Sequence, residues 1–301
     1  MSVQLSKRKM LLGLYIAGGL LLAVSAVLWW DHRTIDPQRA FWGMVDQSMK
    51  TSAVTVESSQ GQGDSTLHQT IQYSTGGQNK VHTLTAVTQA GTSIVDEMVG
   101  TPTADYTRYT SVKTDQKTAS GKPINFDKIL GIWSRSDHAY GESDMLQQAV
   151  LGTNLPLGGV AVPLAQLNAA QRAKLTSQIQ KDGVYSVNYN NVAKTHKDGR
   201  LLYTYTVNVK PQQYAAMMKL FGTSTGLHNL DTIKPEQYAG QPEFTLVMTV
   251  DVRSHQLLSA ETADGTVKQT YSSYDIPTII NEPAKSITTA ELQKRLQDLQ
   301  K

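Results

Sequence analysis

The chain has 301 residues, 40% hydrophobic and 18% charged, with a formal net charge of +3 and no cysteine. The small net charge and scattered basic residues lack the electrostatic footprint of nucleic-acid binding, which excludes that class of partner. The absence of cysteine removes disulfides, thiolate metal sites, cysteine nucleophiles and a lipid-modified cysteine.

Met10 to Trp30 is an uncharged run of 21 residues rich in Leu, Ala, Val, Ile and Gly. At helical rise it matches a hydrocarbon core of about 30 Å. Lys7, Arg8 and Lys9 precede it and only Arg33 follows closely, so the positive-inside tendency places the N-terminus in the cytoplasm. Trp29 and Trp30 suit the far water interface. Val24, Ser25 and Ala26 also resemble a signal-peptide cleavage site, but the apolar run continues past them to Trp30, which favours a retained anchor. The expected organisation is a cytoplasmic N-terminus at 1–9, a transmembrane helix at 10–30 and an extracytoplasmic domain at 31–301, single-pass in the cytoplasmic membrane.

Asp36 and Pro37 read as an N-cap and first helical residue, with Phe41, Val45 and Met49 at helical spacing to about Lys50. Five β-prone runs follow: Val54 to Ser58, His68 to Tyr73, Val81 to Thr88, Ser93 to Val99 and Asp105 to Val112. Successive hairpins of this kind predict an antiparallel meander, with flexible loops at Gly61 to Asp64 and Lys117 to Pro123. Phe126 to Trp133 and Ser143 to Leu151 read as helices. Asn168 with Gln171 resembles a capping box for a helix carrying Leu175 and Ile179 and ended by Gly183.

Tyr185, Val187 and Tyr189 then alternate with polar residues, and Asp198 and Gly199 turn the chain into Leu201 to Val209. A helix from Pro211 places Tyr214, Met217, Met218 and Phe221 on one face. Strands follow at Phe244 to Val252, Leu257 to Glu261 and Val267 to Tyr274, and Thr288 with Glu291 caps a last helix. Antiparallel strands with segregated helices make an α+β architecture.

No catalytic residue, metal site or cofactor is assigned. Gly222 to Gly226 matches G-x-S-x-G around Ser224, but it follows a helix where that motif needs a preceding strand, so a flexible linker is the better reading. The seven histidines show no zinc-ligand spacing; His68 and His82 could meet only if their strands align, and then as a surface pair. Asp137, Glu142 and Asp144 cluster near Trp133, as a sugar-cleaving pair would, yet helix N-terminal placement explains Asp144 directly.

The ending of the chain is more informative. The strand Phe244 to Asp251 turns through Arg253 to Gln256 into Leu257 to Glu261, followed by Val267 to Tyr274, then Ile276, Pro277, Ile279 and Ile280, and Asn281, Glu282, Pro283. With the early helix leading straight into long strands, this order resembles the bacterial LolA/LppX-like superfamily, RseB-like sensors included, over most of residues 36 to 285. The resemblance implies a strongly curved antiparallel sheet, an open half-barrel covered by helices, whose hollow takes acyl chains. Tyr214, Met217, Met218 and Phe221 would line that hollow, since unbranched Met adapts to variable apolar guests; equally, they would fill a core. The function it implies is non-enzymatic binding of a lipid or lipoprotein acyl chain; the peptide anchor at 10–30 departs from the family's released carriers and cysteine-tethered lipoproteins and favours a tethered binder or sensor over a shuttle. The alternative is a non-catalytic envelope interaction or sensor protein with a filled core and a protein partner; a hydrolase using Ser224 or the acids near Trp133 is the lesser reading.

Overall fold

The Asp36 carboxylate accepts from Gln38 N at 3.1 Å and caps the first helix, α1 (Pro37–Ser48), where Pro37 has no N–H to leave unsatisfied. The computed structural model describes residues 22, 25, 36–75, 79–151 and 161–299. Apart from Leu22 and Ser25, the expected membrane span at 10–30 lies outside them. Among the described residues no helix is long and apolar enough to cross a membrane.

Five long strands follow as hairpins: β1 (Ala53–Gln62), β2 (Ser65–Ser74), β3 (Lys80–Gln89), β4 (Thr92–Gly100) and β5 (Ala104–Lys113). The short strand β6 (Ser134–Asp137) pairs on β5. Two helices come next, α2 (Asp144–Leu151) and α3 (Ala169–Asp182). The capping box of α3 forms as its residues predict: Gln171 N donates to Asn168 Oδ1 and Asn168 N to Gln171 Oε1, both at 3.0 Å. Gly183 ends the helix at φ 61°, a conformation glycine adopts without Cβ strain.

The second half contributes β7 (Tyr185–Val187), β8 (Ala193–Lys197), β9 (Arg200–Val209), α4 (Pro211–Thr225), β10 (Phe244–Asp251), β11 (Gln256–Thr262), β12 (Val267–Ser272), β13 (Ile287–Thr288) and α5 (Thr289–Leu299). The described strands form one sheet in the order β13-β6-β5-β4-β3-β2-β1-β12-β11-β10-β9-β7, with β8 also on β9. Every pairing is antiparallel except β13 with β6, and the sheet is curved and does not close on itself. This is the α+β arrangement expected from the element order.

One face of the sheet bears the helices. Phe41 on α1 meets Tyr205 at 5.4 Å and Tyr185 at 6.0 Å, both edge to face. Leu201, Tyr203, Tyr205, Val207 and Val209 alternate inward along β9 and are buried, as their period of two predicts. α2 lies across β3 and β4, and α3 packs on α4 and α1.

Four local expectations are corrected. Phe126 to Trp133 is not a helix: one turn closes at Ile129 and Leu130 onto Phe126 O, and the chain is then drawn into β6 by the open edge of β5. Gly61 is inside β1, leaving only a tight turn at Gly63 and Asp64. Tyr189 leaves the strand for a short 3-10 turn capped by Asn188. Finally, Gly222 to Thr225 is the last turn of α4, with Gly226 its left-handed cap, so no linker starts there.

Candidate functional site

The register of β12 and β1 to β5 arranges the helix-bearing face in rows. Nearest the helices lie Val54, Tyr73, Val81, Gly100 and Asp105, paired strand to strand and all buried. Gly100 is required here: a Cβ would stand 2.8 Å from Met145 Cβ and 2.9 Å from Val81 Cγ1, because α2 presses onto β4. The next row is Tyr271, Val56, Ile71, Thr83, Met98 and Thr107.

Tyrosine hydroxyls hold this inner part together. Tyr73 donates to Ala149 O, and Tyr185 donates to Ala161 O at 3.0 Å. Ala161 N donates to the Tyr271 hydroxyl at 3.2 Å, and Tyr271 donates onward to Gln269 Oε1 at 2.6 Å. Burial, reinforced by neighbouring tyrosines, pushes the Tyr73 and Tyr185 hydroxyls well above the usual phenol range, so they act as neutral donors.

The third row, Gln269, Ser58, Gln69, Thr85, Asp96 and Tyr109, is polar. Gln69 Nε2 donates to Thr85 Oγ1 at 3.3 Å. Burial raises the Asp96 carboxyl above its ordinary value, and a hydrogen bond from Thr85 only partly offsets that. Its Oδ1 is buried without a hydrogen-bond partner.

In the fourth row Leu67, Val87, Ile94 and Val112 are direct neighbours across β2 to β5. They are half-buried and belong to neither buried cluster of the described residues. A cleft of about 320 Å³ lined by Val87, Gln89, Ala90, Thr92, Ile94 and Gln116 opens at this end. The inner face thus passes from packed core through a polar belt to a partly exposed apolar strip.

On the opposite face the Glu97 carboxylate is clamped. His82 Nε2 lies 2.8 Å from Oε1, Arg108 Nε donates to Oε2 at 2.8 Å, and the Arg108 guanidinium covers the Trp133 ring at 4.6 Å.

The four residues singled out from the sequence come together on α4 and are all buried. Met217 S lies 3.8 Å from the Tyr185 hydroxyl, and the Tyr214 ring meets Phe244 edge-on at 6.4 Å. Ser224 donates to Leu220 O at 2.9 Å within the helix, away from any strand-to-helix elbow. Asp137 pairs with Arg135, Glu142 is exposed, and Asp144 opens α2 and accepts from Asn229. His68 and His82 stand on adjacent strands but do not meet, since His68 pairs with Ala86 and His82 with Gln72. No group of three metal-ligating side chains forms among the described residues.

Asp96 was not singled out by its sequence context. The signal available was a carboxylate at a strand position whose i±2 neighbours, Ile94 and Met98, are apolar, which puts a charge on the inward face.

No protein-family model matches the chain, and no curated protein matches it. Among solved structures, the Mycobacterium tuberculosis lipoprotein LppX is similar over 80% of this chain and 98% of its own, at 11% identity and a TM-score of 0.32. At that score the likeness has no bearing on ligand or role. What the structure itself shows is a curved, unclosed antiparallel sheet with few helices.

Proposed function

We propose that this chain is a membrane-anchored extracytoplasmic protein that binds an apolar chain, a lipid or lipoprotein acyl group, on the inner face of its open sheet. The observation that carries the reading is the strip of Leu67, Val87, Ile94 and Val112, which continues the core-facing side of the sheet yet stays half-buried. Apolar surface left in water is unfavourable at roughly 25 cal/mol per Å², and a methylene chain laid along the strip would recover about 0.8 kcal/mol per buried CH₂. The tether is supported by the uncharged run at 10–30 and the basic residues before it.

This reading moves the ligand away from α4. Tyr214, Met217, Met218 and Phe221 are buried within the main core cluster, apart from the half-buried strip on β2 to β5. Native mass spectrometry of the full-length protein after exchange with lipid vesicles tests the proposal. A bound lipid mass is expected, reduced in a Val87→Asp, Ile94→Asp double variant that remains folded. A lipid-free mass under all loading conditions would remove it.

The same buried α4 face favours a second reading, an envelope interaction or sensor protein that works through its surface with a filled core. No lipid uptake by the wild-type chain, with loss of a protein partner on changing the Arg108 and Trp133 face, would select it.

A further inference from the structure

We propose that Asp96 anchors the polar head of the bound amphiphile and that this head is a primary ammonium. The inference rests on the reading that an apolar chain lies along the fourth row, and it adds the chemistry of the head.

The inner face of β12 and β1 to β5 carries two carboxylates, Asp96 and Asp105, and no Lys or Arg, as the strand register assigns its residues. Asp105 is spent on the fold. It accepts from Ser143 Oγ at 2.5 Å and from Met145 N at 3.2 Å, and His138 Nε2 lies 3.5 Å away. Asp96 differs, because its Oδ1 is buried and accepts nothing. A buried carboxylate oxygen without a donor is costly, and a donor arriving with a ligand removes that cost.

The groups around Asp96 narrow the choice. Its cross-strand neighbours are Thr85 and Tyr109, and its same-face neighbours along β4 are Ile94 and Met98. None of these is cationic, so the positive charge that a desolvated carboxylate favours has to come from outside. An ammonium supplies charge and N–H donors together, whereas a quaternary head supplies charge alone and an anionic head is repelled. The upward shift of the Asp96 carboxyl through burial is the state such a ligand would reverse.

Geometry allows head and tail to bind at once. Ile94 is two residues from Asp96 on the same face, roughly 7 Å along the strand. From there a tail crossing β2 to β5 over Leu67, Val87, Ile94 and Val112 spans three strand spacings, about 14 Å.

The test is photo-crosslinking of the full-length chain with three alkyl probes that share a diazirine tail and differ in the head: primary ammonium, trimethylammonium or carboxylate. Mass-spectrometric mapping should place labels on β2 to β5, with the ammonium probe favoured about tenfold over both others, as one good charge-assisted hydrogen bond provides. In Asp96→Asn, which keeps the shape, that preference should vanish while tail labelling persists. Any other head ranking on the wild-type chain, or a preference unaltered in Asp96→Asn, overturns the assignment of Asp96 and leaves apolar-chain binding standing. Absence of labels on β2 to β5 with every probe overturns both.

Discussion

Asp96 and Glu97 are adjacent in the chain and lie on opposite faces of β4, and their carboxyls are shifted in opposite directions. Burial dominates at Asp96 and raises it. Burial also acts upward at Glu97, but the His82 and Arg108 hydrogen bonds together with their charges outweigh it, and the net shift is downward.

Opposite pH dependences follow for the two. A raised folded value makes the Asp96 carboxylate a standing cost above that value, one that disappears as pH falls back toward the ordinary 3.8. Asp96→Asn should therefore stabilise the protein at neutral pH, with the gain vanishing in acid. Glu97 contributes stability that is fully present above its ordinary 4.5 and is lost as pH falls through its depressed folded value. Glu97→Gln should be less stable than wild type at neutral pH, and the difference should close below pH 4.5. Urea denaturation across pH 3 to 8 reads both; parallel profiles for the two variants would contradict the opposed environments.

Gly100→Ala should destabilise the fold by about 1–3 kcal/mol, because the new methyl meets Met145 Cβ and Val81 Cγ1 at the point where α2 touches β4. Gly61→Ala on the same sheet, where nothing lies within 4 Å, provides the comparison and should cost far less. Thermal melts of the pair decide.

Tyr271→Phe removes the acceptor for Ala161 N and the donor to Gln269 Oε1 while keeping the ring. A loss of about 1–3 kcal/mol is expected. Hydrogen exchange at Ala161 should accelerate in the variant, and unchanged protection there would argue against the tyrosine clamp.

Met218→Ala empties a fully buried position on α4 and should cost about 2–5 kcal/mol. Lipid uptake per folded molecule should not change, since the proposed strip lies elsewhere. Reduced uptake at unchanged stability would return the ligand to the α4 face.

Helix ends and hairpins were legible in the sequence because their causes are local. The Asn168 and Gln171 box, Gly183 as a left-handed cap, Pro37 and Pro211 at helix starts, and the Asp198 and Gly199 turn each act within a few residues. Where the cause was distant, local reading failed. The apolar Phe126 to Trp133 looked helical, but its outcome depended on the free edge of β5, and the tract ending at Gly226 looked flexible although α4 continues through it.

From its own residues the sequence determined the α+β class, the alternation that buries Leu201 to Val209 on one side, and the charge pattern around residues 10–30. Only the tertiary structure decided which residues share a row, because register is a relation between strands that no single strand encodes. That relation aligned Leu67, Val87, Ile94 and Val112 into one apolar strip and set Asp96 beside it with its Oδ1 lacking a donor. A shift of one residue in β4 would have turned Asp96 outward and Glu97 in, since the side-chain period of a strand is two.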